Sequence, residues 1–121
     1  MMTGAVFVFG SNLAGRHGAG AAKYAAQKFG AIYGCGEGRQ GQSYAIPTKD
    51  ARLQTLSLDE IEAAIRRFAL YAAENHSEAF ALTPIGCGLA GYKRADIWAV
   101  LHKVKLPYNV HLTPEWVNDH A

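Results

Sequence analysis

Ala5-Val6-Phe7-Val8-Phe9-Gly10-Ser11-Asn12-Leu13-Ala14-Gly15-Arg16-His17-Gly18-Ala19-Gly20 reads as a buried strand that turns through glycines into a helix. Ala5 to Phe9 is apolar without alternation, the pattern of a strand covered on both faces. The alanine-rich segment from Gly20 to Phe29 follows as a helix, with Gly30 at its C-terminal stop. A second passage has the same form. Phe80-Ala81-Leu82-Thr83-Pro84-Ile85 runs into Gly86-Cys87-Gly88-Leu89-Ala90-Gly91, and Asp96 to Leu101 then reads as a helix. Glycine lets a backbone turn tightly and approach a ligand closely. A helix N-terminus offers unpaired N–H groups to an anion. Two such loops at one sheet edge predict a cradle for a pyrophosphate.

The stretches between these loops predict the remaining elements. Ala31-Ile32-Tyr33 reads as a short strand, and Gly34 to Gln42, with Gly34, Gly36, Gly38 and Gly41, reads as a loop, either a lid or a connection. Tyr44-Ala45-Ile46-Pro47 reads as the end of a strand closed by Pro47. Ser57-Leu58-Asp59-Glu60 is a capping box, and Leu58, Ile61, Ile65, Phe68 and Ala72 repeat at helical spacing through Asn75. Ile97, Val100, Leu101 and Val104 share a helix face. Tyr108 to Leu112 reads as a closing strand, and Pro114 starts a last short helix. Strands alternating with helices predict a three-layer α/β domain with a mostly parallel sheet. Ligands bind such sheets beyond the carboxyl ends of the strands, where both glycine loops and the segment after Ile46 emerge.

The 121 residues suit one domain, taken as residues 1–121. Half are hydrophobic and 18% charged, a globular composition. The net charge of +2 comes from dispersed Lys and Arg, with no basic run longer than Arg66-Arg67, so charge gives no support for direct nucleic-acid binding. Met1-Met2-Thr3 leads straight into a strand, which predicts no signal peptide. The apolar runs are shorter than the ~20 residues of a membrane span, so no membrane partner is expected. Two cysteines, Cys35 and Cys87, fit a reducing cytoplasm. His17, His76, His102, His111 and His120 are scattered, so no metal site is expected.

Two familiar phosphate motifs fit poorly. Neither glycine loop carries the Lys-Ser/Thr pair of a nucleoside-triphosphate P-loop. Gly86-x-Gly88-x-x-Gly91 matches the dinucleotide fingerprint, but the following strand, Tyr108-Asn109-Val110-His111, lacks the ribose-binding acid, and too little chain remains for a second half.

A third pattern uses more of the chain. Asn12 with Gly15, then Gly18-Ala19-Gly20-Ala21-Ala22 and its helix, then Ile46-Pro47-Thr48-Lys49, then Thr83-Pro84-Ile85-Gly86-Cys87-Gly88-Leu89, resembles the macrodomain family over roughly residues 5 to 112. The nearest resemblance is to its lysine-dependent branch, which includes the terminal ADP-ribose protein glycohydrolase and the DNA ADP-ribosyl glycohydrolase antitoxin. The resemblance implies a three-layer α/β/α macrodomain-like fold, no cofactor, and ADP-ribose or an ADP-ribosylated macromolecule as partner. It implies that Asn12, Gly18, Ala19, Gly20 and Thr48 line the ligand, with Gly86, Cys87, Gly88, Leu89, Ala90 and Gly91 as the second phosphate loop. Tyr92 would stack on a ribose or base, or else pack in the core. Lys49 matches the lysine that attacks the anomeric carbon in the hydrolases, a task that requires a neutral amine and hence a desolvated cleft.

The chain departs from that pattern at two places. The hydrolase has an acid after Ile-Gly-Cys-Gly-Leu that resolves the covalent intermediate, whereas Ala90 stands here, leaving Asp50 and Asp96 as nearby stand-ins. Many macrodomains hold the adenine amine with an upstream Asp, and Met1 to Phe9 contains no acid. The first departure favours binding over turnover; the second counts against adenine recognition of that kind. More ordinary readings also apply: Asn12 as a turn cap, Lys49 as a solvated loop residue, His17 as an exposed loop residue, and Cys87 as a small side chain packed under its loop.

Overall fold

The computed structural model describes residues 4–117, so the expectations on Met1-Met2-Thr3 and on His120 lie outside the described residues. The elements follow in the order β1 (Val6–Asn12), α1 (Gly20–Lys28), β2 (Gly38–Gln40), β3 (Ser43–Lys49), α2 (Leu58–Glu74), β4 (Phe80–Leu82), α3 (Arg94–Val104) and β5 (Val110–Leu112), with a 3-10 turn at Pro114–Trp116. The sheet order is β2-β3-β1-β4-β5. β3, β1, β4 and β5 run parallel, and β2 joins β3 antiparallel.

The lack of alternation in β1 follows from its central place. Successive side chains point to opposite faces. Val6 and Val8 enter the larger core with Ile46, Phe68, Phe80, Leu82, Ile97 and Trp116. Phe7 and Phe9 enter the smaller one with Ala22, Ala25 and Ala45. Thus α1 covers one face and α2 and α3 the other, giving three layers. The predicted capping box forms: Ser57 Oγ accepts from Glu60 N at 3.2 Å, and Ser57 N donates to Glu60 Oε1 at 3.0 Å. At the far edge the indole N–H of buried Trp116 donates to Leu82 O at 2.7 Å.

Three local expectations are corrected. Ala31 to Tyr33 is not a strand, and Ile32 and Tyr33 are exposed. The strand on that edge is β2, inside the stretch read as a loop. It is held by contacts to α2 and beyond and by one of its own: Arg39 pairs with Glu78 at 2.9 Å and donates to the Tyr71 hydroxyl at 3.0 Å, while buried Gln40 donates to Cys35 O within the stretch at 3.0 Å. Finally, β3 does not close at Pro47 but continues to Lys49. β2 pairs only with Ser43 to Ala45, so the proline removes no rung on that side.

Candidate functional site

The carboxyl ends of β1, β3 and β4 meet at a cleft of about 590 Å³. Gly10, Ser11 and Asn12 supply its floor with Thr48 and Lys49; Arg16, Gly18, Ala19, Gly20, Ala21 and Ala22 form one wall; Thr83 to Gly86, Gly88, Leu89 and Ala90 form the other. Tyr33 and Leu53 complete the lining. The register between β1 and β3 shifts between Ser11 and Asn12, so Asn12 stands opposite Lys49 where the two strands enter the cleft. Irregularities of this kind re-aim side chains beside functional sites. The walls nearly meet across the cleft, because a Cβ built on Gly20 would lie 4.0 Å from Leu89 Cδ1.

Each wall presents backbone. α1 begins after Ala19, whose extended backbone makes no side-chain cap, and its first turn carries no acid. The N–H groups of Gly20, Ala21 and Ala22 are therefore uncapped by side chains at the cleft, in the arrangement that favours an anion. In the second wall Gly86 has φ +75°, and a Cβ there would press to 3.1 Å from Ile97 Cδ1. At that positive φ, glycine lets the loop lie this close to α3.

The first loop is braced from behind by residues 34–40. Gly34 N donates to Gly15 O at 2.8 Å. The Ser11 hydroxyl donates to Gly36 O, and His17 Nε2 lies 3.0 Å from Cys35 O. Gly15 has φ +70°, and a Cβ there would sit 2.3 Å from Cys35 N. The glycine-rich stretch is thus a buttress, packed backbone to backbone under the loop, and it brings Tyr33 to the mouth. His17 is corrected accordingly: it is 3% exposed, edge-on to Phe9, and its Nδ1 has no partner.

The neutral polar side chains of the lining are turned inward. Thr48 Oγ1 donates to Ser11 O at 3.3 Å and Thr83 Oγ1 to Val8 O at 2.7 Å. Asn12 accepts from Arg16 N at 2.9 Å and donates to Arg16 O at 2.9 Å. What remains toward the cleft is two cations, Arg16 and Lys49, and one phenol, Tyr33. Among the described residues no carboxylate lines it. Asp50 Oδ1 caps its own turn, accepting from Arg52 N at 2.8 Å and Gln54 N at 2.9 Å, and Asp96 Oδ2 accepts from Lys93 N at 3.1 Å at the start of α3.

Of the residues singled out from sequence, Asn12, Gly18, Ala19, Gly20, Thr48, Lys49, Gly86, Gly88, Leu89 and Ala90 line the cleft, whereas Cys87, Gly91 and Tyr92 do not. Cys87 Sγ turns back to Ile85 O at 3.5 Å. Tyr92 packs against the larger core and donates its hydroxyl to Leu56 O at 2.7 Å, tying the second loop to the segment after β3. Thr55 Oγ1 adds a bond to Ala90 O at 2.9 Å. Arg16 and Tyr33 were not foreseen. A cation between Gly15 and Gly18 was the available signal for Arg16, and no local pattern marks Tyr33.

No protein-family profile matches the chain, and no curated protein matches it by sequence. Solved structures do match. Thermosipho africanus DarTG in complex with ADP-ribose superimposes with a TM-score of 0.60 at 17% identity, covering 93% of this chain and 39% of that one. The present chain therefore spans well under half of the DarTG chain. A Bacteroides thetaiotaomicron protein of unknown function matches with a TM-score of 0.60 at 16% identity, covering 90% of this chain and 88% of its own. Another from the same organism gives a TM-score of 0.52 at 18% identity, with 93% of each chain covered. Among the described residues no helix is long and apolar enough to cross a membrane. Element order, layering and matched length agree with the sequence resemblance: the chain has a macrodomain-like α/β/α fold with a mostly parallel sheet.

Proposed function

We propose that this cleft binds ADP-ribose or a closely related nucleotide diphosphate sugar, free or carried on a macromolecule. The observation that carries the reading is the charge pattern of the lining: the uncapped N-terminus of α1, with Arg16 and Lys49, and no carboxylate among the described residues. Such a surface attracts a diphosphate and contains nothing that repels one. The cleft volume lies within the range of small-molecule sites. DarTG, of similar fold, was solved with ADP-ribose.

A glycohydrolase is the second reading, favoured by Lys49 lining the cleft at the end of β3. In that chemistry the amine displaces the macromolecule from the anomeric carbon, and the resulting adduct is then released with the help of an acid. Here Ala90 stands in the loop, and both Asp50 and Asp96 are engaged as caps. Binding without turnover fits this set of residues better. Calorimetric titration with ADP-ribose, using ADP and the intact nicotinamide dinucleotide as controls, tests the proposal. Micromolar binding selective for ADP-ribose supports it; no heat with ADP-ribose overturns it.

A further inference from the structure

Resting on the reading of the cleft as a diphosphate site, we infer that Leu53 is a ligand-contact residue, held at the mouth in a strained backbone conformation. It meets an uncharged ring face of the ligand, either in the sugar beyond the diphosphate or in the nucleoside. The chain leaving β3 turns back through Ala51-Arg52-Leu53, with Lys49 bridged antiparallel to Thr55 and Asp50 N donating to Gln54 O at 2.8 Å. Leu53 N donates to Asp50 O at 3.1 Å, and Leu53 has φ +64°. Three-residue hairpin turns place a left-handed residue at this point, and glycine adopts it without strain. A bulky side chain there is an outlier. Lys105, the other non-glycine with positive φ among the described residues, follows the end of α3, where helices commonly adopt that conformation.

The conformation is imposed from several sides. Asp50 Oδ1 accepts from Arg52 N at 2.8 Å and from Gln54 N at 2.9 Å. Leu56 N donates to Thr48 O at 2.9 Å, and Thr55 Oγ1 fastens the returning chain to Ala90 O of the second wall at 2.9 Å. Strain persists where the surroundings over-determine it, and it gathers at ligand sites. Core packing does not explain the leucine. Leu53 is 42% exposed and enters neither core, yet it lines the cleft together with Lys49. A local preference broken without a packing gain points to function. Arg16, Lys49 and the start of α1 answer the charge of a diphosphate. Leu53 adds nonpolar surface, which a sugar or nucleoside ring can cover and a bare phosphate cannot.

The test measures melting temperature and calorimetric affinity together in wild type, Leu53→Gly, Leu53→Asn and Leu53→Met. Glycine and asparagine tolerate positive φ but lack the apolar side chain. Both variants should melt about 2–4 °C above wild type, yet bind ADP-ribose more weakly by about fivefold or more. Leu53→Met keeps the apolar bulk and should match wild type in both measurements. Titration with ADP locates the contact: a loss confined to ADP-ribose assigns it to the second sugar, and an equal loss with ADP assigns it to the nucleoside. A smaller loss of ADP-ribose affinity in Leu53→Gly, or a melting temperature no higher than that of wild type, overturns the inference and leaves the diphosphate reading intact. If wild type gives no heat with ADP-ribose, the parent reading falls and this one with it.

Discussion

The Asn12 side chain grips Arg16 at both backbone polar groups, accepting its N–H and donating to its C=O, each at 2.9 Å. One amide thereby closes the turn that aims a cation at the cleft, and Asn12 itself is buried. Its role as a turn brace and its place in the lining are one role: it positions Arg16. Asn12→Ala removes two hydrogen bonds, a loss of about 1–3 kcal/mol. The expected phenotype is a folded protein with modestly lower thermal stability and several-fold weaker ADP-ribose binding. Arg16→Ala should reproduce the binding loss with stability unchanged. If Asn12→Ala binds as tightly as wild type, the positioning role is wrong.

The buttress makes Gly15 and Gly18 unequal, although they lie three residues apart. Gly15 combines φ +70° with backbone atoms at 2.3 Å from any added Cβ, while Gly18 has open space around it. Gly15→Ala must therefore both strain the turn and push residues 34–35 away, costing about 3 kcal/mol. Gly18→Ala should leave the melting temperature within about 2 °C of wild type. Chemical denaturation of the two variants measures the difference. Similar stabilities would mean that the residue 34–40 segment does not hold the first loop.

Tyr44 gives the fold an alkaline limit. Burial, followed by the nearby Glu37 charge, raises its phenol from 10.0 to about 12. The folded protein holds this proton more tightly than the unfolded chain does. The stabilisation is therefore complete below pH 10 and disappears as the pH rises towards 12, a loss on the order of 2 kcal/mol over that interval. Tyr44→Phe should lack this component. Denaturation midpoints of the two proteins measured from pH 9 to pH 12 should converge or cross as wild type loses stability. Parallel curves would show that the phenol does not titrate with unfolding.

How far the sequence could be read depends on the range of the forces involved. β1 and α2 were legible because local pattern matches their surroundings: Val6 to Phe9 is apolar on both faces, and Ser57 and Glu60 form the cap that their spacing implies. β2 was not, because Gly38-Arg39-Gln40 is held extended by Tyr71 and Glu78, 32 and 39 residues from Arg39. The same limit applies to the site. The glycine walls announce themselves, but neighbourhood in sequence does not tell which way a side chain turns. Tyr92 beside the second loop faces the core, while Tyr33, read as part of a strand, reaches the mouth.

Lys49 separates the two functional readings. As a binding group it contributes charge to a diphosphate, so Lys49→Ala should weaken ADP-ribose binding by about tenfold and Lys49→Arg should retain most of the affinity. Neither variant nor wild type should release ADP-ribose from modified protein or modified DNA, because among the described residues no carboxylate lines the cleft to complete the reaction. Incubating each protein with both substrates and quantifying free ADP-ribose decides the matter. Release by wild type that disappears in folded Lys49→Ala would make the lysine a nucleophile and the protein a hydrolase. The acid would then have to come from a rearrangement that frees Asp50 from the amides of Arg52 and Gln54 or Asp96 from that of Lys93, and Asp50→Asn or Asp96→Asn would abolish the same release.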